Sequence, residues 1–330
     1  VFVFLILSAQ YESWSLPFSI LLGTPFAIFG ALFALWAARF FSPTFENNIF
    51  AQVSFVMLIG MAAKNAITLC DIAGKNIPVC KGVARPWVGP ESTYAHFVHG
   101  DDGFGNIDYP AAKGELDPRS SAQFIIDMAK KYPGEITVAA IGPLGNLALA
   151  LRLEPELPKL LKAVSIMGGA AFVRGNVTPV AEANIWNDAY AAEIVFDADW
   201  QLNMFGLDVT NACPFSPDFL TELKSVNPKL GGFVHDASQF YVKFYSQNRD
   251  EDVCFFHDAM PLAHIIHPEL FELQTGHGRV STDPLNRGQT SIALPNTTAS
   301  PDWLNAQTVN VATKVNNQML TKLYVDTYAL

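Results

Sequence analysis

The sequence predicts an α/β body with a mainly parallel sheet and flanking helices, preceded by an apolar all-α segment. Three observations carry this. Charge is spread unevenly along the 330 residues. Beyond residue 69, short apolar runs that end in glycine alternate with helix-like stretches. Polar clusters follow those runs, and ligands of parallel sheets bind beyond the carboxyl ends of the strands.

Residues 1–68 hold only Glu12, Arg39, Glu46 and Lys64 as charged side chains, so the formal net charge of −10 belongs to residues 69–330. No charge occurs from Ser13 to Ala38. At about 1.5 Å per residue, that stretch spans a hydrocarbon core of about 30 Å. A second uncharged stretch, Asn47 to Ala63, is at the short end for a span and can continue past Lys64 to Cys70. Neither shows an amphipathic pattern, which favours membrane helices over buried core helices. A signal peptide fits poorly, since there is no basic leader and the apolar run is too long.

The acidic body argues against a nucleic-acid polymer as partner, because phosphate binding needs basic patches. Cys70, Cys80, Cys213 and Cys254 form no CxxC pair and have no zinc-type spacing. They read as free thiols of a reducing compartment.

Within the body, Val98–Asn106 (VHGDDGFGN) is glycine-rich and acidic. Alone it is best read as a turn, since it lacks the phosphate-loop lysine. Glu135–Ile141 (EITVAAI), Ala163–Met167 (AVSIM) and Gln201–Phe205 (QLNMF) read as strands, each followed by glycine, with a helix over Asn146–Leu153 after the first. Arg174–Asp188 (RGNVTPVAEANIWND) gathers Asn176, Glu182 and Asn184 just after a strand. Amides and a carboxylate so grouped suit a polyhydroxyl ligand such as a sugar, and equally suit a solvated loop with helix caps. Tyr241 and Tyr245 are four apart and share a helical face, where packing competes with stacking on a base. His257 and Asp258 lie between apolar residues, and a buried aspartate there needs a partner or a metal. The pair His235–Asp236 has a more polar context and reads as surface.

In the head, Tyr11–Phe18 (YESWSLPF), Thr24-Pro25 with Gly30–Leu32, and Ile59–Ala66 (IGMAAKNA) resemble the C-terminal transmembrane half of resistance–nodulation–division efflux pumps. That resemblance makes Lys64 the counterpart of a proton-relay lysine whose partners are aspartates, and residues 1–68 contain none. No transport is expected from two spans. If the head inserts in the inner membrane, Lys75, Lys81 and Arg85 favour a body on the cytoplasmic side.

In the body, VHGDDGFGN, AIGPLGNLALAL, IMGGA, GNVTPVAEANIWND, GLDVT, FHDAMPLA and RGQT occur in order. They resemble the inosine–uridine nucleoside hydrolase family over residues 69–330. The resemblance implies a Rossmann-like sheet, a homo-oligomer, cleavage of ribonucleosides to ribose and free base, and a calcium ion in the pocket. It implies that Asp258 and the backbone carbonyl of Ile141 are calcium ligands. Asn176 and Glu182 would hold the ribose 5′ side, Asn184 the ring hydroxyls, and Met167 would line the pocket. His257 would be the general acid for the leaving base, with His99, Tyr241 and Tyr245 on the base side.

One departure matters. The family opens with a strand ending in an aspartate-rich motif, whereas the first aspartate here is Asp71. The two resemblances join near Lys64–Leu69. The expectations are a sheet without its first strand, weak calcium binding, and very slow or absent hydrolysis.

Overall fold

In the computed structural model, residues 66–88, 95–110, 112–249, 252–295 and 300–329 are described. The chain divides into two units, 1–60 and 61–330. The first unit and both apolar stretches of the head, Ser13 to Ala38 and Asn47 to Ala63, lie outside the described residues. Among the described residues, no helix is long and apolar enough to cross a membrane.

Apolar runs make Thr137–Ala140, Ala163–Met167 and Leu202–Phe205, three of the ten described strands. In chain order the described strands are β1 (Cys80–Lys81), β2 (Asp117–Ser120), β3 (Thr137–Ala140), β4 (Ala163–Met167), β5 (Leu202–Phe205), β6 (Pro214–Phe215), β7 (Cys254–Phe255), β8 (Phe271–Val280), β9 (Thr290–Ala293) and β10 (Thr308–Val315). Two short ladders pair β1 with β2 and β6 with β7. The main sheet runs β3-β4-β5-β10-β8-β9. It is parallel from β3 through β10 and antiparallel across β10-β8 and β8-β9. β3 is an edge among the described residues, and none of its four residues is fully buried.

Period-two alternation sorts the side chains. Val164, Ile166, Leu202, Met204, Val309 and Val311 face one layer, packed by the helices Ser121–Lys131, Gly145–Leu153 and Ala189–Phe196. Phe205 and Ala312 face the other, covered by Pro217–Val226, Ala259–Ile266 and Asn317–Tyr328. The residues between the apolar ones form a polar row across four strands. Asn203 donates to Ser165 at 3.4 Å, Asn310 to Asn203 at 3.0 Å and Thr275 to Asn310 at 2.7 Å. Each buried polar group thus finds its partner within the row.

Helix starts are set by short polar side chains. Ser120, Ser216 and Asn316 each accept a first-turn backbone N–H. Phe271–Val280 holds two glycines that obscure its strand character. A Cβ at Gly276 would meet the Ala293 carbonyl at 2.7 Å, and one at Gly278 would meet Val309 at 2.5 Å. Close approach to the neighbouring strands requires glycine at both.

Candidate functional site

The site is built at the carboxyl ends of β3, β4 and β5. After Met167 the chain passes Gly168 and Gly169, and Gly169 has φ 90°, a region that favours glycine. The chain then makes a tight loop back. Gly175 donates to the Pro179 carbonyl at 3.2 Å, and Val177 to the Ala181 carbonyl at 3.2 Å. A Cβ at Gly175 would stand 2.2 Å from the Ala181 oxygen, so no side chain fits there.

Glu182 closes the loop and is 2% exposed. One carboxylate oxygen accepts from the N–H of Asn184 at 2.9 Å. The other accepts from Gly169 at 2.9 Å and Ile185 at 3.3 Å. Burial pushes its pKa up to about 7, against the pull of those three donors, and the nearby Asp258 charge adds to the rise. Asn176 accepts from the N–H of Ala183 at 3.0 Å. The Asn184 amide donates to the Met167 carbonyl at 3.0 Å and the Ile141 carbonyl at 3.3 Å, tying the ends of β4 and β3 together. From behind, Arg287 donates to the Asn187 carbonyl at 3.0 Å and lies over the Trp186 ring, and Gln289 bridges to Ala181.

The opposite wall is aromatic. The turn at 100–106 is held by its own side chains. Asp102 accepts from the N–H of Phe104 and of Asn106, and Asn106 accepts from that of Asp101. It is a self-capped turn, and it carries the short helix His96–His99 to the wall. His99 stacks on Tyr241 at 5.4 Å, and the protein packed around it lowers its pKa. Tyr241 meets Tyr245 edge-on at 4.9 Å, with the hydroxyls 3.2 Å apart. Burial raises the Tyr241 pKa far above the ordinary phenol value.

His257 and Asp258 follow β7. The Phe255 ring stacks on His257 at 5.5 Å, and His257 Nδ1 lies 2.7 Å from Thr210 Oγ1. Asp258 opens onto the cavity but is hemmed in by protein, and this desolvation pushes its pKa up to about 6. It makes no capping bond to the helix that follows it.

One cavity of about 580 Å³ is lined by His99, Ile141, Met167, Asn176, Glu182, Asn184, Tyr241, Tyr245, His257 and Asp258, all ten residues that the sequence singled out. Phe97, Phe244 and Tyr324 join them, and no sequence signal pointed to these three. The Tyr324 hydroxyl is buried without a hydrogen-bond partner among the described residues. Thr210 belongs to the GLDVT motif, which offered a signal but no role. His235–Asp236 stands apart at the surface, where Asp236 pairs with Lys224.

Calcium takes about six to eight oxygen ligands. The cavity offers the Asp258 carboxylate and the Ile141 carbonyl, and the latter already accepts from Asn184. Among the described residues, no three His, Cys, Asp or Glu groups come close enough to hold a metal ion. This donor set does not fit a resident divalent cation.

The family model for inosine-uridine preferring nucleoside hydrolase matches residues 53–322. A second model, for the AcrB/AcrD/AcrF family, matches residues 1–78. A probable uridine nucleosidase 1 of Oryza sativa subsp. japonica is 34% identical over 77% of this chain and 80% of its own length. The inosine-uridine preferring nucleoside hydrolase of Crithidia fasciculata is 36% identical over 77% of this chain and 79% of its own. Among solved structures, a plant nucleoside hydrolase superposes with a TM-score of 0.78 at 31% identity, covering 82% of this chain and 86% of that one. A purine-preferring ribonucleoside hydrolase from Gardnerella vaginalis gives a TM-score of 0.75 at 27% identity, covering 82% and 85%. With ordered motifs, fold and cavity in agreement, the chain belongs to the inosine-uridine preferring nucleoside hydrolase family.

Proposed function

We propose that the cavity takes a ribonucleoside, ribose against the polar wall and base against the aromatic one, and that the chain hydrolyses the N-glycosidic bond to ribose and free base. One observation carries this reading. Hydroxyl-binding groups, a histidine and stacked rings converge on a single cavity of nucleoside size. Asn176 and Glu182 hold the 5′ side, and Asn184 meets the ring hydroxyls above Met167. His99, Tyr241 and Tyr245 flank the base, and His257 donates to it as it leaves. The transition state is oxocarbenium-like, so contacts to the ribose hydroxyls strengthen as charge develops on the sugar. Histidine suits the base because a ring N–H can hydrogen-bond the nitrogen on which negative charge grows as the bond breaks.

The donors among the described residues, the Asp258 carboxylate and the Ile141 carbonyl, are too few to hold a cation against the ribose diol, and on this reading turnover is slow. The test is a reducing-sugar assay on the full chain with inosine and uridine, with calcium and with chelator. Slow ribose release that disappears in His257→Ala supports the reading. No release from the full chain overturns hydrolysis by this molecule, and release regained when an aspartate-bearing first strand replaces residues 1–68 would assign the loss to the metal site. The thin donor set favours a second reading, a nucleoside-binding module without turnover. Heat of inosine binding with no ribose release would select that one. Residues 1–68 would anchor either form to the cytoplasmic face of an inner membrane, a reading supported by their charge-free runs and the match over residues 1–78.

A further inference from the structure

Thr210 is a hydroxyl that neither wall of the cavity accounts for. It ends the short helix Leu207–Thr210 after β5 and is 1% exposed. Its Oγ1 lies 2.7 Å from His257 Nδ1, and this is its one side-chain hydrogen bond among the described residues. A hydroxyl has one proton and two lone pairs. A buried O–H with no acceptor is costlier than an unfilled lone pair on an oxygen. Were Nδ1–H to donate to Oγ1, the Thr210 proton would be left with no acceptor. If Thr210 donates instead, the proton is satisfied and Nδ1 must be the bare nitrogen of the neutral ring.

We propose that Thr210 is a positioning residue that donates its O–H to His257 Nδ1 and so fixes the imidazole as the Nε2–H tautomer. The Phe255 ring sets the plane of the imidazole, stacked at 24°. Thr210 sets its rotation within that plane. Nε2 then carries the ring's one proton, on a residue that lines the cavity. The consequence for catalysis rests on reading His257 as the hydrogen-bond donor to the departing base, with its proton kept on Nε2, whereas the tautomer assignment does not.

The test is a long-range ¹H–¹⁵N correlation on the full chain labelled at histidine, about two pH units above the ordinary imidazole pKa. The His257 signals are assigned by their loss in His257→Gln. The wild type is expected to show Nε2–H. Thr210→Ser keeps that pattern, and Thr210→Val shifts it toward a mixture of tautomers. An Nδ1–H pattern in the wild type overturns the proposal, and the wild type decides this even if Thr210→Val fails to fold. An unchanged pattern in a folded Thr210→Val overturns it as well. With ribose release as readout, Thr210→Val lowers kcat at least about tenfold with KM within about twofold, and Thr210→Ser restores it. An unchanged kcat in Thr210→Val overturns the positioning role. If no variant or wild type releases ribose while the tautomers behave as stated, the hydrolysis reading fails and the assignment of Thr210 stands.

Discussion

The two walls of the cavity are held by different means. The polar wall is fixed by main chain. Glu182 gathers three backbone N–H groups, Asn176 a fourth, and Asn184 two backbone carbonyls. The aromatic wall is fixed by rings. His99 lies on Tyr241, Tyr241 against Tyr245, and Tyr245 against Phe255. Main-chain hydrogen bonds are directional and leave costly orphans when broken. Ring contacts tolerate exchange, because much of their energy comes from buried area rather than direction. The polar wall should therefore be intolerant of change, and the aromatic wall open to retuning for different bases.

The sharpest test is Glu182→Ala. It leaves the N–H groups of Gly169, Asn184 and Ile185 without their acceptor, so the unfolding free energy in urea should fall by about 3 kcal/mol or more. A loss below about 1 kcal/mol would mean that the loop is held by its own backbone bonds, and the contrast between the walls would break.

The next is pH. The Glu182 carboxyl rises from 4.5 to about 7 on folding, so between those values the folded chain keeps a proton that the unfolded chain has released. Stability from this group is full below pH 4.5 and lost as pH climbs to about 7. The melting temperature should fall across that window by on the order of 5 °C. Asp258 acts with the same sign between 3.8 and about 6. Glu182→Gln should therefore flatten only the upper part of the slope, and a slope that the variant leaves intact would assign it elsewhere.

Ligand affinity separates the walls more gently. Tyr241→Ala should weaken inosine binding about tenfold and leave free ribose unchanged, while Asn176→Ala should weaken both, as read by calorimetric titration. Equal losses for ribose in both variants would merge the two walls into one. The smallest effect expected is that of Tyr241→Phe. It removes only the contact to the Tyr245 hydroxyl at 3.2 Å and should cost less than about 1 kcal/mol in the same urea titration.

The parallel half of the sheet was legible because AVSIM and QLNMF are uninterrupted runs stopped by glycine. β4 and β5 occupy those places within one residue. The antiparallel half was not. In FELQTGHGRV the glycines that let β9 and β10 come close also erase the strand signal, so tertiary packing overrides local preference there. Most of the lining residues were legible because ordered motifs mark the loops after the strands, whereas Tyr241 and Tyr245 were found by their helical spacing on Leu230–Arg249. Tyr324 and Thr210 escaped for opposite reasons. Tyr324 reaches the cavity from a helix at the far end of the chain, a placement that only the fold determines. Thr210 acts through another side chain, a relation that sequence spacing does not encode.

The place of β10 has a consequence for how the molecule is made. It lies in the middle of the sheet, parallel to β5 on one side and antiparallel to β8 on the other, yet Thr308–Val315 follows both of them in the chain. While synthesis proceeds, the two halves of the sheet have no common seam. They can join only once the chain has been made as far as Val315, and such long-range closure is slow. Until then the facing edges of β5 and β8 stay open to wrong partners. A nascent chain stalled shortly before Thr308 would carry both cavity walls in its sequence, the lining tyrosines of Asn317–Tyr328 excepted, and still be a client for chaperones.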